Sequence, residues 1–186
     1  NMKGRTVLVT GGGGLLGRQF ALALAQAGAD VMLADLAYEA AADQAEVIRA
    51  EGLSAAALAV DVIDPDSTRA MVEQTLARFG RLDVLINSAA LDPKFDPQHQ
   101  SEQAANAFET YALESWRKAL DVNLTGMFLA SQAAVQPMLA QSQGVIINIC
   151  STYGLNGPDQ RIYSRPDGTQ SYKPVYYSVT KAGVLG

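Results

Sequence analysis

RTVLVTGGGGLLG, at residues 5–17, decides the fold that this sequence predicts. A β-branched run that stops at glycines is typical of a buried strand, and the apolar spacing that follows is typical of a helix. A strand, a glycine turn and a helix in this order present backbone N–H groups and a positive helix end to a phosphate. Gly11, Gly14 and Gly17 let the backbone turn tightly and approach a pyrophosphate, although a tight turn without a ligand is the simpler alternative.

Strands and helices alternate along the rest of the chain at a near-constant spacing. This pattern is typical of βαβ units with right-handed crossovers, and it predicts an α/β fold. We expect a Rossmann-type doubly wound parallel sheet in three layers, α/β/α, forming a single domain over residues 1–186. The predicted strands are residues 5–10, 30–35, 55–61, 83–87 and 144–150, and the helices between them are residues 15–27, 38–50 and 65–79.

The second half of the sequence is less regular. A long helix is predicted over residues 115–139, bent or ended near Pro137 because proline cannot donate an N–H. Apolar residues lie on more than one of its faces, so we expect the sheet on one side and another subunit on the other. Residues 102–112 are predicted to be helical, residues 91–101 and 152–175 to be loops, and residue 176 to begin the last helix.

Composition argues against several classes of protein. The 186 residues are 48% hydrophobic and 18% charged with a net charge of −5, which disfavours nucleic-acid binding. No apolar run reaches the roughly 20 residues that span a bilayer, and the first residues leave no room for a signal peptide, so no membrane association is expected. The single cysteine, Cys150, cannot form an internal disulfide, which favours a cytoplasmic location. No histidine and cysteine cluster has metal-ligand spacing, so no catalytic metal is expected.

Tyr177 and Lys181 are four residues apart, which places them one turn apart on a helix. An ammonium group beside a phenol favours the phenolate, so we expect the pKa of Tyr177 to fall from its usual value of about 10. Such a phenol can exchange a proton with an alcohol or a carbonyl. The alternative is a tyrosine packed beside a solvated lysine.

Ser151 directly follows the last predicted strand, at the edge where ligands of open parallel sheets lie. Its hydroxyl can hydrogen-bond a substrate oxygen. A nucleophilic role is disfavoured because the only histidine, His99, lies in a proline-rich loop and because no Gly-x-Ser-x-Gly motif surrounds the serine.

Asp35 ends the second predicted strand, beyond the glycine turn. A carboxylate at this position can accept hydrogen bonds from ribose hydroxyls and would repel a 2′-phosphate. The next two residues, Leu36 and Ala37, are not basic, so the sequence favours NAD over NADP. An ordinary solvated aspartate is the alternative.

These motifs resemble those of the short-chain dehydrogenase/reductase family over the whole chain. Residues 10–17 are similar to its cofactor turn TGxxxGxG, with Leu15 in place of a glycine, and they fit the form TGxxGxxG in full. Asp61-Val62 resembles the pair that contacts the adenine, and residues 87–90, NSAA, are similar to the NNAG motif. The family's catalytic tetrad is matched in order by Asn123, Ser151, Tyr177 and Lys181.

The resemblance implies an enzyme that interconverts an alcohol and a ketone or aldehyde by hydride transfer with NAD. Tyr177 would be the general acid/base, and Lys181 would hold the nicotinamide ribose and lower the pKa of the tyrosine. Ser151 would polarise the substrate oxygen, and Asn123 would hold a water that relays protons. The implied cofactor contacts are Gly11, Gly14, Leu15, Leu16, Gly17, Asp35, Leu36, Asp61, Val62, Asn87, Ser88, Ala89, Tyr177 and Lys181.

Two departures from the family pattern concern the substrate side. The loop at residues 153–176 is longer than the family's and carries Arg161 and Arg165, which suggests a polar or anionic substrate such as a sugar derivative, with residues 92–96 as the opposite wall. A solvated loop with mixed charges is the alternative. The chain ends five residues after Lys181, so the C-terminal part of the usual fold is expected to be missing. A homo-dimer or homo-tetramer is expected from the apolar helix faces.

Two rival functions stay open. One is a nucleotide-sugar epimerase or dehydratase with an internal NAD redox cycle, which the glycine spacing allows. The other is a dinucleotide-binding sensor without turnover, which the match to Ser151, Tyr177 and Lys181 disfavours.

Overall fold

The computed structural model describes residues 1–92, 105–166 and 168–186, which group into two compact units. The first unit holds a parallel sheet, and the second holds the segments around Tyr177. The predicted single domain over the whole chain stays a prediction. The first unit consists of Asn1–Ala89 and Thr125–Ile149, and the second of Ala90–Leu124 and Cys150–Gly186.

A five-stranded parallel sheet forms the centre of the first unit. Its strands are β1 (Thr6–Thr10), β2 (Asp30–Asp35), β3 (Ala55–Ala59), β4 (Val84–Asn87) and β5 (Val145–Asn148), in the spatial order β3-β2-β1-β4-β5. Thr10 at the end of β1 pairs with Ala34 of β2 and with Asn87 of β4, so the carboxyl ends of these strands meet at one edge. The predicted Rossmann-type parallel sheet is confirmed.

The helices of the described residues are α1 (Leu15–Gln26), α2 (Tyr38–Ala50), α3 (Pro65–Phe79), α4 (Leu113–Leu120), α5 (Gly126–Ala140) and α6 (Val175–Gly183). Local sequence explains the bounds of α3. The carboxylate of Asp64 accepts a hydrogen bond from the N–H of Asp66, Pro65 occupies the first helical position, and Gly80 ends the helix with φ of +79°.

Both faces of β1 and β2 are buried over most of their length, whereas most residues of the edge strand β5 are exposed. Alternate residues of β1 and β2 pack in one cluster with small residues of α1 and α2. The residues of this cluster include Val7, Val9, Ala21, Ala25, Val31, Leu33, Ala41 and Ala45. The residues between them on the strands point to the opposite face and are also buried, as Leu8, Met32 and Leu85 show. On that side α3 and α5 pack against each other, and each contacts a strand.

Asp83 joins the starts of β1 and β4 and is only 3% exposed. Its carboxylate accepts hydrogen bonds from the backbone N–H of Thr6 at 2.9 Å, from Arg5 at 2.7 Å, and from Arg81 at 2.6 and 2.7 Å. Burial raises the pKa of this carboxyl, but the hydrogen bonds outweigh burial and bring the pKa to about 2. The charged form of Asp83 therefore stabilises the first unit.

The long helix predicted over residues 115–139 differs from the structure in its middle. α4 ends at Leu120, a π-helical turn occupies Asp121–Thr125, and α5 then runs to Ala140, shortly after Pro137. Apolar spacing did not reveal the π turn, because the apolar residues of this segment lie on more than one helix face and define no single register that an extra residue would visibly interrupt.

The helix predicted over residues 102–112 is wrong for residues 105–112, which contain only the short 3-10 turn Phe108–Thr110. A short polar segment gains too little from packing to offset the cost of helix nucleation. Residues 93–104 lie outside the described residues. They include His99, most of the loop predicted at residues 91–101 and most of the pocket wall predicted at residues 92–96. Within the described ranges, no helix combines the length and the apolar character needed to cross a membrane.

Candidate active site

The glycine turn between β1 and α1 is packed too tightly for a larger residue at four positions, of which Gly11 and Gly17 are the most constrained. Gly11 has φ of +68°, and a Cβ on it would lie 2.8 Å from the backbone of Ala89. A Cβ on Gly17 would lie 2.1 Å from the carbonyl oxygen of Gly11. The close approach of β1, α1 and the segment after β4 therefore requires both glycines.

The start of α1 faces solvent beside this turn. Gly14 is the N-cap residue, and no side chain caps the N–H groups of the first turn. The side chains of Leu15 and Leu16 are 83% and 52% exposed. Uncapped N–H groups at the positive end of a helix are the donors that a pyrophosphate requires, so this turn fits a dinucleotide.

Asp35 at the end of β2 contacts the glycine turn directly. One carboxylate oxygen accepts a hydrogen bond from the N–H of Gly13 at 2.9 Å, and the other accepts one from the N–H of Ala37 at 3.0 Å. Leu36 beside it is 75% exposed. The carboxylate is thus fixed at an open edge, where it can also accept hydrogen bonds from ribose hydroxyls.

The segments after β3 and β4 reach the same edge. The N–H groups of Ser88 and Ala89 lie 3.2 and 3.3 Å from the hydroxyl of Thr10, to which they donate. Val62 is buried, and a Cβ on Gly126 of α5 would lie 2.7 Å from its side chain. These contacts fix the backbone after both strands.

Asp61 and Asn87 are also held in place within the first unit. The N–H of Asp61 donates to the hydroxyl of Ser67 at 3.0 Å. Asn87 is 3% exposed and donates from Nδ2 to Ser131 at 2.9 Å and to Asn148 at 2.8 Å. The first unit therefore brings together all the predicted cofactor contacts that precede residue 90.

Asn123 of the second unit lies in the π-helical turn and is 2% exposed. Its side-chain oxygen accepts a hydrogen bond from the N–H of Leu91 at 2.7 Å, and its Nδ2 donates to the carbonyl of Leu91 at 3.1 Å. Nδ2 also lies 3.2 Å from the hydroxyl of Thr180 on α6. π turns are frequent at functional sites. These bonds fix Asn123 beside the helix that carries Tyr177.

The side chains of Ser151 and Tyr177 lie close enough to interact, and the serine favours the phenolate of the tyrosine. The 3-10 turn Thr152–Gly154 packs so closely on α6 that a Cβ on Gly154 would lie 2.5 Å from the carbonyl oxygen of Lys181. Lys181 is 6% exposed, and its Nζ lies 5.9 Å from the centroid of the Tyr177 ring. The second unit therefore brings together the four residues that match the tetrad, which are Asn123, Ser151, Tyr177 and Lys181.

The pKa of Tyr177 is raised above its usual value, so the expectation of a lowered pKa is wrong. Burial of the phenol is the main cause, and the interaction with Ser151 offsets it only in part. Burial also lowers the pKa of Lys181. The spacing of the two residues identified them as neighbours but carried no information about burial.

Two charged residues lie near Tyr177, and both belong to segments that the sequence predicted as walls of the substrate pocket, with no specific role for either. Lys173, from the loop before α6, is 7% exposed, and its Nζ lies 3.8 Å from the centroid of the Tyr177 ring. The same Nζ donates to the carboxylate of Asp92 at 2.5 Å. Helical spacing gave no signal for Lys173, because this residue precedes Pro174 and the first turn of α6.

The long loop before α6 contains the 3-10 turn Gln160–Tyr163 and an isolated bridge between Ser164 and Gln170. Arg161, which the sequence suggested as an anion contact, is 90% exposed at its side chain and pairs with Asp159 at 2.5 Å. Its charge is thus partly balanced within the loop. In the part of the chain that the structure describes, no group of three His, Cys, Asp or Glu side chains is arranged to hold a metal ion.

A family described as short chain dehydrogenase matches residues 5–164 of the chain. The chain belongs to the short-chain dehydrogenase/reductase family. The resemblance of its motifs is confirmed, and the fold agrees with this assignment.

Individual relatives are similar in sequence or structure. A protein of Macrophomina phaseolina named short chain dehydrogenase/reductase dpmpG is 36% identical over 154 residues, which cover 81% of this chain and 82% of that protein. The cis-4-hydroxycyclohexanecarboxylate dehydrogenase of Sinomonas cyclohexanicum is 35% identical over 82% of this chain and 57% of its own. The crystal structure of NAD+-bound xylitol dehydrogenase matches with a TM-score of 0.82 and 26% identity, over 100% of this chain and 62% of that chain. The chain spans 57% to 64% of the length of several such curated relatives.

Proposed function

We propose that this protein is an NAD-dependent dehydrogenase that interconverts an alcohol and a ketone or aldehyde. The observation that carries the proposal is the convergence of Ser151, Tyr177 and a buried Lys181 within one compact unit, in a chain of a family of dehydrogenases. A buried lysine costs folding free energy, and proton transfer by Tyr177 at a substrate oxygen is a use that explains a lysine held near this tyrosine.

NAD is the proposed cofactor, and when bound it supplies the hydride acceptor. The N–H groups at the start of α1 would hold its pyrophosphate, and Asp35 would accept hydrogen bonds from the adenosine ribose. The negative charge of Asp35, with no basic residue at Leu36 or Ala37, supports NAD over NADP. The NAD+-bound state of a similar xylitol dehydrogenase structure agrees with this choice.

Tyr177 is the proposed general acid/base. During oxidation its phenolate would take the proton of the substrate hydroxyl, and during reduction the phenol would return a proton. Ser151, whose side chain interacts with the tyrosine, would donate a hydrogen bond to the same substrate oxygen. Lys181 would hold the nicotinamide ribose and favour the phenolate. Asn123, fixed by Leu91, would hold a water for proton relay.

The proposed substrate is a polar hydroxylated compound, such as a sugar derivative. The loop before α6 supports this class because it places polar side chains near Tyr177, including Tyr153 and Tyr163, whose hydroxyls lie 3.1 Å apart. Two similar proteins are named for hydroxylated substrates, a hydroxycyclohexanecarboxylate and xylitol.

We also propose a homo-dimer or homo-tetramer in the cytoplasm. Phe128 and Leu139 on α5 are 60% and 68% exposed, which suits contact with another subunit. The single cysteine, Cys150, agrees with a reducing compartment. A nucleotide-sugar epimerase or dehydratase is the second candidate, and the spacing of Gly11, Gly14 and Gly17 is the observation that favours it.

The test is NADH formation from NAD, with NADP in parallel, over a panel of alcohols, polyols and sugars. The protein should be the full-length chain, and Tyr177→Phe is the control because it removes only the hydroxyl. We expect turnover with NAD that falls at least about 100-fold in the variant, since positioned acid/base groups contribute about that much or more. Undiminished turnover in Tyr177→Phe would remove the proposed role. NADH binding without turnover would favour the internal redox cycle or the sensor.

A further inference from the structure

Lys173 is buried, although it is not one of the four residues that match the family's catalytic tetrad. Its side chain is 8% exposed, whereas lysine is among the residues that are least often buried. Taking an ammonium group out of water is unfavourable unless it gains a specific partner. A buried lysine beside a proposed catalytic group therefore calls for a physical account.

The backbone of Lys173 is fixed by one side chain. Gln160 donates from Nε2 to the carbonyl of Lys173 at 2.9 Å, and its Oε1 accepts from the N–H of Lys173 at 3.0 Å. Pro174 follows and begins α6. The two hydrogen bonds and the fixed φ of proline restrict where the lysine side chain can reach.

The ammonium group of Lys173 lies on the face of the Tyr177 ring, 3.8 Å from its centroid. Lys181 is farther from the same centroid, at 5.9 Å. A cation over an aromatic face is attracted by the ring, and the attraction grows when the ring carries the negative charge of a phenolate. Lys173 is thus the nearer of these two cations to the tyrosine ring.

Asp92 is the counter-charge of this group. Its carboxylate binds the Nζ of Lys173 at 2.5 Å and is itself 52% exposed. A nearby carboxylate disfavours a phenolate, and Asp92 contributes to raising the pKa of Tyr177. The described titratable groups around Tyr177, from all the elements packed on it, are Asp92, Cys150, Tyr153, Tyr163, Lys173, Tyr176 and Lys181.

We propose that Lys173 is a positioning residue that stabilises the phenolate form of Tyr177 together with Lys181, and that Asp92 opposes it. This inference rests on the proposed acid/base role of Tyr177. Lys173 belongs to the loop that lengthens the segment between Ser151 and Tyr177, so this loop supplies a charge to the reaction as well as a wall to the pocket.

The proposal predicts shifts of opposite sign for the two partners of the ion pair. Lys173→Met keeps the length of the side chain and removes the cation, so the pKa of Tyr177 should rise by about one unit. Asp92→Asn keeps an acceptor for Lys173 and removes the anion, so the pKa of Tyr177 should fall. Lys173→Arg restores the cation and should return the pKa toward that of the wild type. A purely structural ion pair would make both single variants change the site in the same way.

The experiment is a pH titration of the full-length protein labelled with carbon-13 at the tyrosine hydroxyl carbon. The resonance of Tyr177 is identified by its loss in Tyr177→Phe, and the titration requires neither cofactor nor substrate. The pH profile of turnover should move in the same direction as the resonance. Circular dichroism confirms that each variant is folded, and Asp92→Asn tests the proposal even if Lys173→Met does not fold.

Opposite shifts in Lys173→Met and Asp92→Asn, with recovery in Lys173→Arg, would support the inference. No shift in Lys173→Met, or shifts of the same sign in both single variants, would overturn it. If the resonance shifts as stated but no substrate is turned over, the proposed function fails while the effect of Lys173 on Tyr177 stands. If turnover depends on Tyr177 but the resonance does not shift, the function stands and the inference fails.

Discussion

Gly17→Ala is the substitution whose effect follows most directly from the geometry of the glycine turn. The added Cβ would lie 2.1 Å from the carbonyl oxygen of Gly11, whereas a carbon and an oxygen in contact are roughly 3.3 Å apart. The two groups must separate by about 1 Å. Gly11 has little room to move, because it packs so closely on Ala89 that a Cβ on Gly11 would lie 2.8 Å from the backbone of Ala89. The start of α1 must therefore shift.

The expected loss of NADH affinity is larger than the loss of stability. Alanine is better than glycine in a helix by about 1 kcal/mol, which offsets part of an overpacking cost of about 1–3 kcal/mol. A 1 Å shift of α1 moves its N–H groups away from the pyrophosphate, and one hydrogen bond to a charged group is worth about 1.5–3 kcal/mol. Since about 1.4 kcal/mol is tenfold, we expect at least about tenfold weaker binding.

NADH fluorescence titration measures the affinity, and thermal unfolding followed by circular dichroism measures the stability. Gly157→Ala is the matched control, because nothing lies within 4 Å of a Cβ at that position and its φ is not in the left-handed region. Its affinity for NADH should equal that of the wild type. A folded Gly17→Ala protein that binds NADH within about twofold of the wild type would refute the assignment of this turn to the cofactor.

Two further substitutions test charges in the first unit. Asp35→Asn removes the negative charge beside the glycine turn, so the ratio of NADP to NAD affinity should rise about tenfold or more. Parallel titrations with the two reduced cofactors measure this ratio. An unchanged ratio would contradict the role of Asp35. Asp83→Asn should lower the free energy of unfolding by about 2 kcal/mol at pH 7, because the pKa of Asp83 is about 2 when folded and about 3.9 in an unfolded chain. This stabilisation is present above about pH 4 and is lost as the pH falls toward 2, so urea unfolding of the two proteins should converge at low pH.

The elements of the first unit were predictable because their signals are local. β2 and α2 have the bounds that the sequence predicted, Asp30–Asp35 and Tyr38–Ala50, since β-branched or apolar runs and alanine-rich helical spacing end at clear breaks. Gly80 marks the end of α3 in the same way. Such signals depend only on residues within one turn of each other.

The π turn around Asn123 was not predictable from such signals. It changes the hydrogen-bond partner of a few backbone groups, and because the apolar residues of this segment lie on more than one face, it interrupts no clear register. The family motif identified Asn123 as a candidate site residue, but its contacts with Leu91 and Thr180 join segments far apart in the sequence. Local spacing contains no information about contacts of that kind.

The pKa of Tyr177 shows why a motif identifies a reactive group better than it predicts its protonation state. The Tyr-x-x-x-Lys spacing contains one favourable term, an ammonium group one turn away. Burial of the phenol acts on the pKa in the opposite direction, because it disfavours the charged phenolate. A single lysine therefore does not ensure a phenolate in a buried site, and here burial is the larger effect. Lys173, 3.8 Å from the centroid of the ring, adds a second cation where the first is not sufficient, and only the folded loop brings it there.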